Sequence, residues 1–419
     1  MSSLSAIFFD LDGTLVDSSI GIYKGFTYTF EQLGVPSPDA KTIRGFMGPP
    51  LETSFASCLS PDQVELAIQL YRSYYKEKGV YEAQLFPQIK ELLAELAQQL
   101  KDGKAAHPKE VTGPSSAKNT PEVQALVDTP TPQLPVTFKD YTGKEVTVKS
   151  AGRILALDTY GTLAQDVIAL GLGGRLVGRT VSNTEQSLSK LPVMTQNGHD
   201  LNVEAILSAK PDVVFLDSSA SSRDAAQKLE SSGITVVLTD TNRKMNLIIP
   251  QLKLVAQALG VQEAGNTVAE RIQKDLDYAT TTLKEVAPQG DQRLSMAFLY
   301  VRGNSGVFFV LGDGYGADEL ITAVGGRGVA AENGIKEMTM ANAEALVKLN
   351  PDLILVMSRG LKSTGGVDGL VSRPGVEQTT AGKNRRIVDM DDGQILSFGP
   401  NTPAVLLSLA KAIYAPEGQ

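Results

Sequence analysis

Val193–Asp217 reads VMTQNGHDLNVEAILSAKPDVVFLD. It opens with a polar loop that carries one of the chain's two histidines, His199. A short amphipathic helix is predicted from about Asn202 to Ala209, followed by a Lys-Pro stop and the apolar strand VVFLD. Further along, Asn342–Ser358 reads NAEALVKLNPDLILVMS, with Asn, Glu, Ala, Pro and Asp at the offsets they hold in Asn202–Ser218. A second matched pair precedes the two copies, LGLGGRLVG at Leu170–Gly178 and AVGGRGVA at Ala323–Ala330. Two matched pairs in the same order mark an internal duplication. Each copy gives a helix, a loop, a second helix and a buried strand, which is one α/β lobe on a mainly parallel sheet. Two such lobes enclose a cleft.

Composition sets the frame. At 419 residues, with 42% hydrophobic and 21% charged side chains, the chain is an ordinary globular protein of two or three domains. A net charge of −8 leaves no basic face to track phosphates, which argues against nucleic acid as a partner. Cys58 is the single cysteine, so neither an internal disulfide nor a cysteine-based zinc or iron–sulfur site is available. No apolar run of about 18 residues offers a membrane span. The N-terminus lacks the basic and apolar regions of a signal peptide. Phe55–Cys58 faintly matches a lipoprotein processing site, but no apolar segment precedes it, and the thiol is assigned to a helical packing surface. As written, the chain is expected in the cytoplasm.

The first hundred residues belong to another pattern. Ala6–Val16, AIFFDLDGTLV, is an apolar strand ending in Asp-x-Asp-Gly-Thr and resembles the haloacid dehalogenase-like phosphatases. The resemblance implies Asp10 as nucleophile and Asp12 as general acid and base, with Mg²⁺ screening the charge. Ser19–Gly79 is similar to the helical cap of phosphoglycolate phosphatase relatives, and Phe86–Leu100 to the helix returning to the core. The family's next strand ending in Ser or Thr, its Lys and its acidic metal pair do not follow. Leu155–Leu163, LALDTYGTL, and Asp391-Asp392 imitate family motifs but fall in the duplicated region and are read as part of it. Asp10 and Asp12 therefore form half a site, without most of its transition-state charge stabilisation. Residues 101–133, rich in Pro, Thr, Ser, Ala and Lys with no apolar period, read as a flexible linker.

Pro135–Val148, PVTFKDYTGKEVTV, alternates as a β-hairpin around Thr142-Gly143, and Arg153–Asp158, RILALD, is the strand after it. With the helix running to Gly174, this opening resembles the class III periplasmic-type binding proteins of ABC importers, which capture iron-siderophores, cobalamin and haem. The resemblance extends over about Leu134–Ala415. It implies an N-terminal lobe over 134–260, an inter-lobe helix over 261–290 and a C-terminal lobe over 291–419. The stiff helix implies only modest closure of the cleft. The fold expected for the whole chain is thus α/β, a two-lobed binding protein preceded by a partial phosphatase-like segment with a helical cap.

Within that family, TQNGHDLNVEAIL at Thr195–Leu207 and AFLYVRGNSG at Ala297–Gly306 are similar to the haem-binding HmuT type. The similarity implies His199 and Tyr300 as ligands of the iron of haem b, one from each lobe. Neutral imidazole is a common haem ligand, and phenolate is a hard anionic donor suited to ferric iron. Arg302, two residues on in a strand, shares a face with Tyr300 and favours the phenolate through its charge. Met194, Met338, Met340 and Phe308 are candidates for the pocket wall, with Phe308 and Phe309 alternating so that only one can face the cleft. Glu185 and Glu332 stand at corresponding loop positions, where this family docks on permease arginines. The function expected is haem capture and delivery to an ABC importer, with the permease and cell-surface haem-binding proteins as partners. The alternatives are siderophore or corrinoid binding in the same cleft, or a Mg²⁺-dependent phosphatase acting on a small phosphate ester. The binding type is normally extracytoplasmic and membrane-anchored; here the N-terminal segment stands where its leader would be.

Overall fold

A computed structural model describes residues 16–17, 19–46, 49–79, 84–85, 107–303 and 306–416. The chain divides into two compact units, Met1–Gly103 and Lys104–Gln419. In the first, β1 (Val16–Asp17) pairs antiparallel with β2 (Gln84–Leu85), and four helices lie between them: α1 (Ser19–Gln32), α2 (Ala40–Gly45), α3 (Leu51–Ala56) and α4 (Pro61–Glu77). They close on an aromatic core in which the Phe26 ring lies 4.8–5.1 Å from Phe46, Phe55 and Tyr71. Rings at these offsets add specificity to the burial of the helix faces. Pro61 opens α4 at a position where its missing N–H costs nothing, next to a Ser60 hydroxyl that donates to Gln63 at 2.8 Å. Cys58, assigned from sequence to a packing surface, is instead exposed, in the turn that follows α3. Asp10, Asp12 and the returning helix at 86–100 lie outside the described residues.

The second unit carries the duplicated pattern. Its first lobe has a three-stranded parallel sheet in the order β10 (Thr235–Thr239), β9 (Val213–Asp217), β6 (Ile154–Leu157). The hairpin β4 (Val136–Lys139) and β5 (Glu145–Val148) precedes it in register Val136↔Val148. The second lobe is ordered β14 (Thr339–Met340), β12 (Val307–Val310), β11 (Ser295–Arg302), β15 (Leu353–Met357), β16 (Ile387–Met390), β3 (Ser115–Ser116), with β13 (Arg327–Gly328) also paired to β11. Its β11, β15 and β16 run parallel, while β12 and β14 extend it antiparallel. Strands β9 and β15 are buried at every position, as strands covered on both faces must be.

The repeated residues of the two copies do the same work. Asn202 and Asn342 cap α6 (Val203–Ser208) and α12 (Ala343–Leu349), accepting from Ala205 N at 3.1 Å and Ala345 N at 2.8 Å. After each helix, Pro-Asp stops the turn and the aspartate anchors the neighbouring strand. Asp212 Oδ2 accepts from the backbone N–H groups of Gly152 and Arg153, and Asp352 Oδ2 from those of Ser295 and its hydroxyl.

Between the lobes runs α9 (Gln262–Val286), 25 residues and roughly 37 Å at the usual helical rise. It buries Val268, Ala269, Ile272, Leu276, Ala279 and Leu283, a helical stripe that carries one apolar core from the first lobe into the second. Gly265 lets it meet α8 (Ile248–Ala258) closely, since a Cβ there would come within 2.4 Å of Ala256 Cβ.

Much of the stretch 101–133, expected as a flexible linker, is ordered against the second unit. From Val111 to Gln133 it is bound to the second unit rather than solvated. Ser115 and Ser116 add β3 to the edge of β16, and Val111, Ala117, Thr120 and Val123 are buried. Arg386, fully buried, donates to Ser115 Oγ at 2.9 Å and to the carbonyls of Ala412 and Ile413, at the end of the last helix. Thr120 and the Gln394 amide exchange bonds of 2.9 and 3.0 Å, Leu126 N donates to Ala169 O and Gln133 N to Gly260 O. The strap therefore touches both lobes. Its apolar residues are too irregularly spaced to show a period, and the strand it forms is only two residues long, so composition alone made it look unstructured.

Candidate functional site

The cleft between the lobes encloses about 610 Å³, inside the range of small-molecule sites, about 300–1,000 Å³. One wall comes from the loops after β6 and from a β-hairpin, β7 (Thr195–Gln196) and β8 (Asp200–Leu201). Asn197 and Gly198 at its tip have φ of 47° and 95°. Asn-Gly is the pair that tolerates this left-handed backbone, and it presents His199 on the cleft side. Met194 lies beneath the hairpin, 2% exposed, in the core of the first lobe. It seats the loop and does not line the cleft.

The other wall is built on β11. Leu299 and Val301 face one core, while Tyr300 and Arg302 emerge on the opposite face and line the cleft. The Arg302 guanidinium carbon lies 4.7 Å from the centre of the Tyr300 ring. Its Nη2 donates to Asp392 Oδ2 at 2.9 Å and contacts Met357 Sδ at 3.4 Å, and its Nη1 donates to Val301 O at 3.0 Å. The second oxygen of Asp392 accepts the backbone N–H of Arg359 at 2.9 Å.

His199 has a pKa below its usual 6.5, first because the cleft desolvates it and second because Arg302 is positive; Asp200 pulls the other way. The side chain is exposed by surface area but faces protein across the cleft, which is why desolvation leads. Neutral imidazole, the metal-binding form, is therefore favoured. Tyr160, at the base of the cleft, sits under the Arg243 guanidinium at 4.5 Å, and burial pushes its pKa up to about 12 against that charge. It stays a neutral phenol. Arg243 is itself paired with the fully buried Asp158 at 3.1 Å, so the floor is a fixed polar seam.

The structure brings His199, Tyr300, Arg302 and Met338 to one cleft. Met340 is 61% exposed and outside it, and Phe308 is half-buried, packed against the second lobe's core under Arg373, 4.9 Å from the ring centre. Glu185, expected at a docking surface, is buried at 7% exposure and accepts from Gln165 Nε2 at 2.9 Å; burial raises its pKa. Its loop folds inward under the strap instead of outward. Glu332 is exposed and tied by both oxygens to Arg327 at 3.1 Å. Asp392, Arg359, Tyr160 and Tyr315 are cleft residues that the sequence reading did not select. Asp392 follows β16 at the strand's C-terminal end, where open α/β sheets collect ligands, and that position was a usable signal. Among the described residues no cluster of three His, Cys, Asp or Glu could hold a bare metal ion. No helix among them is long and apolar enough to cross a membrane.

Two α/β lobes, a long connecting helix and a cleft lined from both sides define a ligand-binding protein of the periplasmic type. The family described as periplasmic binding protein matches residues 159–393, more than half of the chain, and the chain belongs to it. An uncharacterised ABC transporter substrate-binding lipoprotein of Bacillus subtilis, YvrC, is 27% identical over 285 residues, 67% of this chain and 86% of the relative. The crystal structure of the heme-binding protein HmuT is 42% identical with a TM-score of 0.71, over 73% of this chain and 99% of that one. HmuT variants with alanine in place of a tyrosine, a histidine or an arginine are similar as well, at TM-scores of 0.71 to 0.73. The periplasmic heme-binding protein RhuT of Roseiflexus is 30% identical, TM-score 0.57, over 63% of this chain and 98% of that one. Separately, the family described as haloacid dehalogenase-like hydrolase matches residues 7–103. A 5'-nucleotidase of Pseudomonas aeruginosa is 37% identical there over 92 residues, 22% of this chain and 42% of the relative. A phosphoglycolate phosphatase of Photorhabdus laumondii is 30% identical over 104 residues, and the chain spans 44% of it.

Proposed function

We propose that the second unit captures haem in the inter-lobe cleft, with the iron held between His199 and Tyr300, and passes it to an ABC-type importer. The observation that carries this reading is the convergence of those two side chains, from opposite lobes, on one cleft of about 610 Å³ with Arg302 against the Tyr300 ring. Two protein donors facing each other are too few to chelate a bare ion but suit an iron whose remaining positions are filled by a porphyrin. Leu311, Met338, Met357 and Leu396 give the apolar surface that a macrocycle needs. The similarity to HmuT, and to variants of it at the same three residue types, supports the same cargo. The YvrC similarity supports an importer as recipient. Of the two acids considered for docking on a permease, Glu332 is the one at the surface. Titration with hemin should give a Soret band distinct from free hemin and saturate at one haem per chain. A spectrum that stays that of free hemin, with tight binding of a ferric siderophore or corrinoid instead, would replace the cargo.

A further inference from the structure

We infer that Arg359 is the anion-holding residue of the cleft and that it takes a carboxylate of the porphyrin cargo, an inference that rests on the haem reading above. Arg359 is exposed in the first turn of α13 (Ser358–Ser363) and lines the cleft. Its backbone is fixed by Asp392, yet no acid among the described residues pairs with its guanidinium. The other arginines around it are committed: Arg302 to Asp392, and Arg243 to Asp158. Of the arginines and acids that line the cleft, Arg302 and Asp392 pair with each other, which leaves the guanidinium of Arg359 without an acid.

The second side of Arg359 faces acids. It borders a separate cavity of about 280 Å³ that is also lined by Glu122, Glu185 and Asp391. Asp391 Oδ1 is taken up by Gly393 N at 2.9 Å and the Thr184 hydroxyl at 3.4 Å, and Glu122 by the backbone of Gln186 and Ser187. The carboxylates of Glu122 and Asp391 disfavour an anionic ligand on that side, which leaves the cleft side for one. Haem supplies one, since its two propionate carboxylates are the charged groups of an otherwise apolar ring, and a guanidinium binds a carboxylate through two parallel bonds. Asp392 then serves both ends of the cargo, holding Arg302 beside the iron ligand and Arg359 beside the carboxylate.

The test compares hemin with its dimethyl ester, which keeps the iron and loses both charges, on the full chain and on Arg359→Ala and Arg359→Gln. The full chain should bind hemin about tenfold more tightly than the ester, the scale of one charged hydrogen-bonded contact. Both variants should bind the two porphyrins alike, with an unchanged Soret position because the iron ligands are intact. Added salt should erode the preference of the full chain and leave the variants unaffected. If the variants keep the full preference for the free acid, Arg359 does not hold the carboxylate, while the haem reading stands. A full chain that binds neither porphyrin removes the haem reading and this inference with it.

Discussion

Arg302 lies over the ring of Tyr300 at 4.7 Å while its guanidinium is tied to Asp392 at 2.9 Å. The arginine is thus held in place by an acid and a backbone carbonyl before any ligand arrives, and the phenol is oriented by a partner that is already fixed. Preorganisation of this type reduces the ordering cost of binding.

Tyr300 should therefore matter more to ferric haem than His199. Replacing Tyr300 with Ala should weaken hemin binding about 100-fold, and replacing His199 with Ala about tenfold, read by spectroscopic titration. Tyr300→Phe is the sharper comparison because it keeps the ring under Arg302 and removes only the oxygen. Binding of hemin by Tyr300→Phe at the strength of the unaltered chain would mean that the strand contributes packing and the iron has another ligand, with Met357 and Met338 in the cleft the first to examine.

Iron binds imidazole only in its neutral form. His199 has a pKa below 6.5, so acid should remove its contribution only below that pH. In Arg302→Ala one cause of the lowering is gone, and the onset should move up toward 6.5. Hemin affinity measured from about pH 5 to 7 checks this, with His199→Ala as the reference that lacks the transition. Coincident profiles for Arg302→Ala and the unaltered chain would show that the arginine is not felt at the imidazole.

Asp166 on α5 (Thr162–Ala169) is buried with one oxygen bonded to Gln251 at 3.1 Å and the other without a partner. Burial raises its pKa from 3.8 to about 8. Between those values the folded protein holds a proton that the unfolded chain has released, so the native state loses stability as pH rises through the interval. Asp166→Asn carries no such proton. Its advantage in thermal unfolding should grow with pH by up to about 1.4 kcal/mol per pH unit and level off above about pH 8. An advantage that is flat with pH would place the ionised carboxylate in a better-solvated site.

Arg386 joins the strap to the end of the last helix, and desolvation lowers its pKa to about 10, still charged at neutral pH. Arg386→Met fills similar space but strands the carbonyls of Ala412 and Ile413. A loss of about 2–4 kcal/mol is expected in denaturant unfolding, with early protease cleavage in the strap. Equal stability would mean that water replaces the guanidinium.

Hydrolysis of p-nitrophenyl phosphate with Mg²⁺ should be negligible, because the match at residues 7–103 covers less than half of the phosphatase relatives. Turnover that vanishes in Asp10→Asn would show that residues elsewhere complete that site.

The duplicated lobes were legible because the residues that repeat do local work: Asn202 and Asn342 cap, Pro211 and Pro351 stop, Asp212 and Asp352 anchor. Strand alternation was enough to put Tyr300 and Arg302 on one face. What the sequence hid depends on contacts between distant segments. Asp392 reaches Arg302 across 90 residues, and Glu185 turns inward beside the strap, whose Glu122 accepts from the backbone N–H of Gln186. Met194 and Phe308 were apolar residues near the right motifs, and apolar character alone does not distinguish a pocket wall from a core.

The two-residue strand β3 also decides where the binding unit can be cut. It covers the outer edge of β16, yet it comes from well before the hairpin at Val136, where the family-like pattern begins. A truncated chain starting at Pro135 would lose it and leave the outer backbone groups of β16 around Val388 and Asp389 unpaired. Such an edge is a template for pairing with another copy. Aggregation of that fragment, beside a well-behaved fragment starting at His107, would follow from the edge alone.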